Sequence, residues 1–156
     1  MEQSPVTGII VTYNVALITV DNLPSKMDLI SSIFNTIASQ QINIDMISQS
    51  PTYKGSINIS FSLPSDDLVK AISSLNSFKK EVPNLHVEVE ANNAKLNVYG
   101  EDMKNVPGVA ARLYTLLAGN DIEIKLVTTS EVDISYLIAE KDIDRAIESI
   151  KTEYSL

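Results

Sequence analysis

Two stretches of this chain repeat each other at a fixed offset. Ile30, Ile33, Phe34, Ile42, Ile44 and Gln49 recur 80 positions on as Ala110, Leu113, Tyr114, Ile122, Ile124 and Thr129. The segment DDLVKAISSL (66–75) recurs 75 positions on as KDIDRAIESI (141–150). A constant spacing over such a length marks a duplicated structural unit. The 156 residues then divide into two copies of about 75 residues, near the lower limit for an independent core. The copies are expected to pack on each other or on a partner.

The first copy opens with a strand, because Ala16, Ile18 and Val20 alternate with Leu17 and Thr19. Asp21–Ser25 reads as a loop. Leu29, Ile30, Ile33, Phe34 and Ile37 at 3/4 spacing predict a helix over about 26–40. Ile42, Ile44 and Met46 predict a second strand, Pro51–Gly55 a turn, and Ile57, Ile59, Phe61 and Leu63 a third strand closing a hairpin. Ser65 is the expected N-cap of a helix over about 66–78, with Leu68, Ala71, Ile72 and Leu75 inward. Leu85, Val87 and Val89 predict a fourth strand. The order is β-α-β-β-α-β, an α+β sandwich with helices on one face of an antiparallel sheet.

In the second copy Leu96 and Val98 stand for Ile18 and Val20. A helix carries Val109, Leu113, Leu116 and Leu117, strands carry Ile122, Ile124, Leu126 and Ile134, Tyr136, Ile138, and a last helix carries Ile143, Ala146, Ile147 and Ile150. No fourth strand follows before Leu156, which leaves an open sheet edge. A spare strand, Val6–Val11, precedes the first copy. The expected division is therefore 14–91 for the first domain and 1–13 plus 92–156 for the second, the N-terminal strand completing the second sheet. The alternative is that 6–11 extends the first copy.

Composition narrows the function. Cysteine is absent and histidine occurs once, so neither a disulfide framework nor a transition-metal site is expected. The formal net charge is −8 and the largest basic run is Lys79–Lys80, a poor match to nucleic acid or anionic membrane. Apolar runs are far shorter than the roughly 20 residues of a membrane span. Nothing resembles a leader peptide, and a cytoplasmic location is the default expectation. The glycines Gly8, Gly55, Gly100, Gly108 and Gly119 are scattered, so no phosphate-cradling loop is present.

The stretches VTG (6–8), INIDMISQ (42–49), NISFSLP (58–64), VPGVAARLY (106–114) and TTSEVDIS (128–135) resemble the regulatory region of an aspartokinase, a tandem of ferredoxin-like ACT domains. The resemblance runs end to end. It implies that the first ACT domain is inserted in the second. It also implies feedback inhibition: the kinase phosphorylates the side-chain carboxylate of aspartate, and its ACT tandem binds an end product, lysine or threonine, at an interface between ACT domains of two chains. ATP and Mg²⁺ would belong to the kinase domain, and no cofactor is expected here. The implied partners are a second copy of this chain and the catalytic domain or subunit.

A free amino acid needs a partner for its carboxylate, which backbone N–H groups at a helix start supply, and oxygens for its ammonium. In the first copy the expected effector-binding residues are Pro24, Ser25, Lys26, Met27, Asp28 and Leu29, facing Ile42, Asn43, Ile44, Asp45 and Gln49. In the second they are Val106, Pro107, Gly108 and Val109, facing Ile122, Glu123 and Thr129. The resemblance implies Asp-x-Pro-Gly in the first loop, where this chain has Ser25, Lys26, Met27 and Asp28. Asp28 could repel a ligand carboxylate or hold an ammonium. The second loop keeps Pro107–Gly108, with Glu123 where the family has Asn. Plainer readings stand beside these: Asn43 and Asp45 as solvated strand residues, Ser50 and Thr52 as hairpin residues, Thr128–Ser130 as a turn, and His86 as an exposed strand residue. The alternative function is a dimerisation scaffold whose effector site has been lost. A third reading, an independent small enzyme, finds no nucleophile–base pair.

Overall fold

The computed structural model describes residues 4–156. The chain divides into two compact units: Asn14–Asn92, and Asn93–Leu156 together with the residues up to Tyr13. Two long strands, β1 (Gly8–Pro24) and β4 (His86–Tyr99), each contribute one segment to each unit.

The Asn14–Asn92 unit continues from β1 through α1 (Met27–Ser39), β2 (Ile47–Gln49), β3 (Ser56–Pro64) and α2 (Leu68–Asn76) into β4. Its strand order is β2-β3-β1-β4. β1 and β3 run antiparallel with Ile18 opposite Phe61 and Val20 opposite Ile59, and β2 pairs antiparallel with β3. Ala16, Ile18, Val20, Ile57, Ile59, Phe61 and Leu63 alternate onto one sheet face, where Ile30, Ile33 and Ile37 of α1 and Ala71 and Leu75 of α2 bury against them. A strand's period of two and a helix's 3/4 spacing each put the apolar atoms on one side, so both helices cover the same face. Full burial of each such aliphatic side chain is worth about 1.5–3 kcal/mol.

In the other unit β4 leads to α3 (Val109–Gly119), β5 (Leu126–Thr129), β6 (Asp133–Ala139) and α4 (Ile143–Tyr154), with strand order β5-β6-β4-β1. Leu96 lies opposite Tyr136 and Val98 opposite Ile134. Their side chains join Leu113, Leu117, Ala146 and Ile150 in a second core, the counterpart of the first position by position. Val6, fully buried, belongs to this core. The Thr7 N–H donates to the Tyr99 carbonyl at 2.9 Å. A Cβ built on Gly100 would lie 1.9 Å from the Pro5 carbonyl oxygen, so the backbones approach as only glycine permits.

Several boundaries differ from the sequence expectation. The strand expected at 6–11, from Gly8 on, and the one at 16–20 are parts of one strand, and the loop expected at 21–25 is mostly its continuation. A bulge between Val20 and Leu23, with Asn22 in the left-handed region (φ 57), absorbs the irregularity and returns Leu23 to the core opposite Ile57. Likewise Leu85–Val89 and Leu96–Val98 read as two strands, and β4 joins them. Ile42 and Met46 are buried as an alternating strand would bury them, but the strand proper begins at Ile47. In the second copy Ile122 and Ile124 precede β5 in the same way.

Ser65 is not a helix N-cap. It begins a one-turn 3₁₀ helix, Ser65–Asp67, that enters α2 without a side-chain cap, and its Oγ is buried with no hydrogen-bond partner among the described residues. A similar turn, Glu140–Asp142, leads into α4, which buries Ile143, Ala146 and Ile150. The Pro51–Gly55 turn closes through Lys54 (φ 50) and Gly55 (φ 78), both left-handed, between the mutually hydrogen-bonded Tyr53 and Ser56. Two successive left-handed residues give the twist a tight hairpin needs.

Candidate functional site

The loop before α1 is tied to the Thr52–Gly55 hairpin. The Ser25 N–H donates to the Gly55 carbonyl (3.0 Å), and the Ser25 and Thr52 hydroxyls bond each other at 2.8 Å. Lys26 is extended and offers α1 no side-chain cap. Lys26, Met27, Asp28 and Leu29 line an open depression of about 470 Å³ together with Ser32 and Glu81. Pro24 lines a neighbouring one with Asn22 and Ser56.

The facing residues do not join the first depression. Ile42 is in the core and Ile44 packs against it, so neither side chain is free for a ligand. Asn43, Asp45 and Gln49 are exposed but line neither depression. Glu81, in the segment after α2, carried no periodic or motif signal.

In the other unit the expected loop meets one of its three expected facing residues. Val106, Gly108 and Val109 line one open site of about 390 Å³ with Thr129, and Met103, Lys104, Ala110, Ser130, Glu131 and Ile134 complete it. Pro107 and Glu123 are exposed outside its lining, and Ile122 is buried in the core. Ser130 is engaged in its own turn: its hydroxyl donates to Asp133 Oδ1 (2.8 Å) and accepts from the Val132 and Asp133 N–H groups. Thr129 ends β5 exposed. The lining offers groups of the kinds an amino acid needs: the start of α3 and Lys104 for a carboxylate, Glu131 for an ammonium, and the exposed Val106 for a carbon chain.

The two loops differ at one backbone position. Gly108, directly before α3, is left-handed (φ 86, ψ 4). Its counterpart 80 residues earlier, Asp28, lies within the first turn of α1. A left-handed conformation costs a side-chain-bearing residue about 1–2 kcal/mol, so α1 begins earlier and places the Asp28 carboxylate at its own positive end. Such a carboxylate occupies the electrostatic position that a ligand carboxylate would use.

Shifted titrations lie outside these three depressions. The Arg112 Nε–H donates to Glu153 at 2.6 Å and holds that carboxyl below its usual range. Burial raises the Tyr136 hydroxyl above its usual range. Among the described residues no helix is long and apolar enough to cross a membrane.

The repeat, with four strands and two helices serving each unit, defines a tandem of small α+β modules. The family model of the ACT domain matches residues 18–77 and 96–154, and the chain belongs to that family. Within it, the chain corresponds to the regulatory region of aspartokinases. An aspartokinase of Bacillus sp. (strain MGA3) is 36% identical over 157 residues, covering 100% of this chain and 38% of that protein. The chain therefore spans well under half the length of the curated relatives it matches. A solved structure of aspartokinase alpha and beta subunits superposes with a TM-score of 0.88 at 29% identity, covering 97% of this chain and 99% of that one. E. coli aspartokinase III in complex with lysine and aspartate shares the fold, with a TM-score of 0.72 at 17% identity over 97% of this chain and 33% of that one.

Proposed function

We propose that this chain senses an amino acid, lysine and/or threonine, and transmits feedback inhibition to an aspartokinase catalytic domain or subunit in the cytoplasm. The observation that carries this reading is the convergence of Gly108, Val109 and Lys104 with Thr129 and Glu131 around one open site. The lysine-bound E. coli neighbour supports lysine as the first effector to test. ATP and Mg²⁺ act at the kinase, not here. Binding would bias a two-state equilibrium of the assembly, by no more than the ligand's differential affinity for the two states.

The working assembly in this reading is a homodimer. β2 and β5 are the outer strands of their units, and Ile47 and Tyr53 expose large apolar surface beside β3. Such edges are ready templates for pairing. Light scattering at micromolar protein should return twice the chain mass.

Calorimetry with lysine and threonine separately, and methionine and isoleucine as controls, tests the sensor. Saturable heat with lysine or threonine supports it. No heat with any of the four, from folded dimeric protein, favours the scaffold reading. The displaced glycine at Asp28 is the feature that supports that second reading.

A further inference from the structure

Among the described residues, one cluster of metal-ligating side chains lies outside the three depressions. The sheet of the Asn14–Asn92 unit brings Asp21 of β1 beside His86 and Glu88 of β4, and one donor atom from each lies within 4.8 Å of the others. His86 Nδ1 is 3.3 Å from Asp21 Oδ2 and 3.9 Å from Glu88 Oε1. His86 and Glu88 are two apart on one strand, so both project from the same face. We propose that Asp21, His86 and Glu88 form a surface site for a borderline first-row divalent cation, with Zn²⁺ as the probe ion.

Three observations carry this. Two carboxylates converge on a single imidazole nitrogen, which as a hydrogen-bond donor could serve only one of them fully, whereas a cation serves all three groups at once. The His86–Asp21 separation of 3.3 Å is that of neighbouring donors on a bound ion, since Zn–N and Zn–O bonds of about 2.0–2.2 Å in a tetrahedron place them about 3.3 Å apart, and the exposed Glu88 carboxylate, at 3.9 Å, has to close in by about half an ångström. The Asp21 carboxylate is also supported from behind. Turning the Asn58 amide of β3 so that its nitrogen faces Asp21 satisfies both of its ends: it would donate to Oδ1 at 3.3 Å and to the Ile57 carbonyl at 3.2 Å, leaving Oδ2 toward His86. Hydrogen bonds of this kind orient ligating carboxylates in metal sites.

The donor set selects the ion class. An imidazole nitrogen with two carboxylates suits Zn²⁺, Co²⁺ or Ni²⁺, while Mg²⁺ takes oxygen ligands and keeps its water. The side chains of His86 and Glu88 are 56% and 65% exposed, so the remaining coordination positions face water. The sequence expectation of no transition-metal site rests on the count of one histidine and no cysteine. The sheet brings Asp21 from 65 residues away to join His86 and Glu88.

The test is calorimetric titration of the chain with ZnCl₂ at neutral pH, paired with NMR of the imidazole protons. His86 is the only histidine, so any imidazole response reports this site. Expected are one saturable equivalent, a shift of the His86 ring resonances, loss of that equivalent in His86→Ala and Glu88→Ala, and persistence under millimolar Mg²⁺. Asn58→Ala should weaken binding about 10- to 100-fold. No saturable binding, equal binding by His86→Ala, or ring resonances that ignore Zn²⁺ would overturn the proposal. The ring signal is read in the unaltered protein, so it does not depend on any variant folding.

Discussion

The rings of Tyr114 and Tyr136 meet edge to face, centroids 5.8 Å apart and planes at 84°. The counterpart contact in the other unit joins Phe34 and Phe61 at 6.0 Å and 63°. The same helix–sheet contact is thus built twice, once with hydroxyls and once without. Tyr136 is fully buried and its hydroxyl has no hydrogen-bond partner among the described residues.

Tyr136→Phe is therefore expected to stabilise the protein. It removes an unpaired buried hydroxyl while keeping the ring contact, as Phe61 already does. The gain should be about 1 kcal/mol, because a buried polar group without a partner costs about 1–3 kcal/mol. Urea denaturation of the two proteins measures it, and a loss of stability would show that the hydroxyl is satisfied in solution. Tyr136→Ala should cost about 3–5 kcal/mol through the cavity it leaves.

The same hydroxyl sets an alkaline limit. Burial raises its pKa in the folded chain. The folded state then keeps a proton that the unfolded state loses above about pH 10. The contribution is fully present below that pH and falls as pH rises through the window above it, by up to about 1.4 kcal/mol per pH unit. Thermal melts from pH 8 to 11 should show a shallower alkaline decline for Tyr136→Phe than for the unaltered chain.

Gly108→Ala separates backbone strain from crowding. A Cβ there would meet nothing within 4 Å, yet φ is +86°. The expected cost is about 1–2 kcal/mol, from the left-handed conformation alone. If the proposed sensor reading holds, amino-acid binding should weaken as well. Calorimetry at a temperature where the variant stays folded distinguishes the two effects.

Asp28→Gly addresses the other loop. It removes a favourable charge at the start of α1 and introduces a flexible residue, so stability should fall by about 1–2 kcal/mol. It also clears the electrostatic position a ligand carboxylate would use. Stronger amino-acid binding, or a second calorimetric transition, is the expected outcome. Unchanged binding would place the effector at the second loop alone.

Gly100→Ala probes the tie between residues 5 and 100. The new Cβ would contact the Pro5 backbone at 1.9 Å, so one strand must move. A cost of about 1–3 kcal/mol is expected by analogy with overpacking, read from the denaturation midpoint.

The repeat and its periodicities determined which residues face inward. Ile18 and Leu96, Ile33 and Leu113, Ile59 and Ile134, and Ala71 and Ala146 are buried in matching places because apolar spacing is a local property that the chain carries along itself. Left-handed asparagine positions are harder to read. Asn22 looked like a loop and is a bulge, since pairing with β3, not local propensity, decides whether an irregular residue ends a strand. Position alone puts the facing residues Ile42 and Ile122 opposite a ligand, and tertiary packing gives both to the core. Proximity across long separations was settled only by the fold: Ser25 with Thr52, Gly108 with Thr129, Asp21 with His86. Each pair depends on strand register and on where a helix begins. A one-residue change in either would redirect the side chains, and no local pattern records that choice.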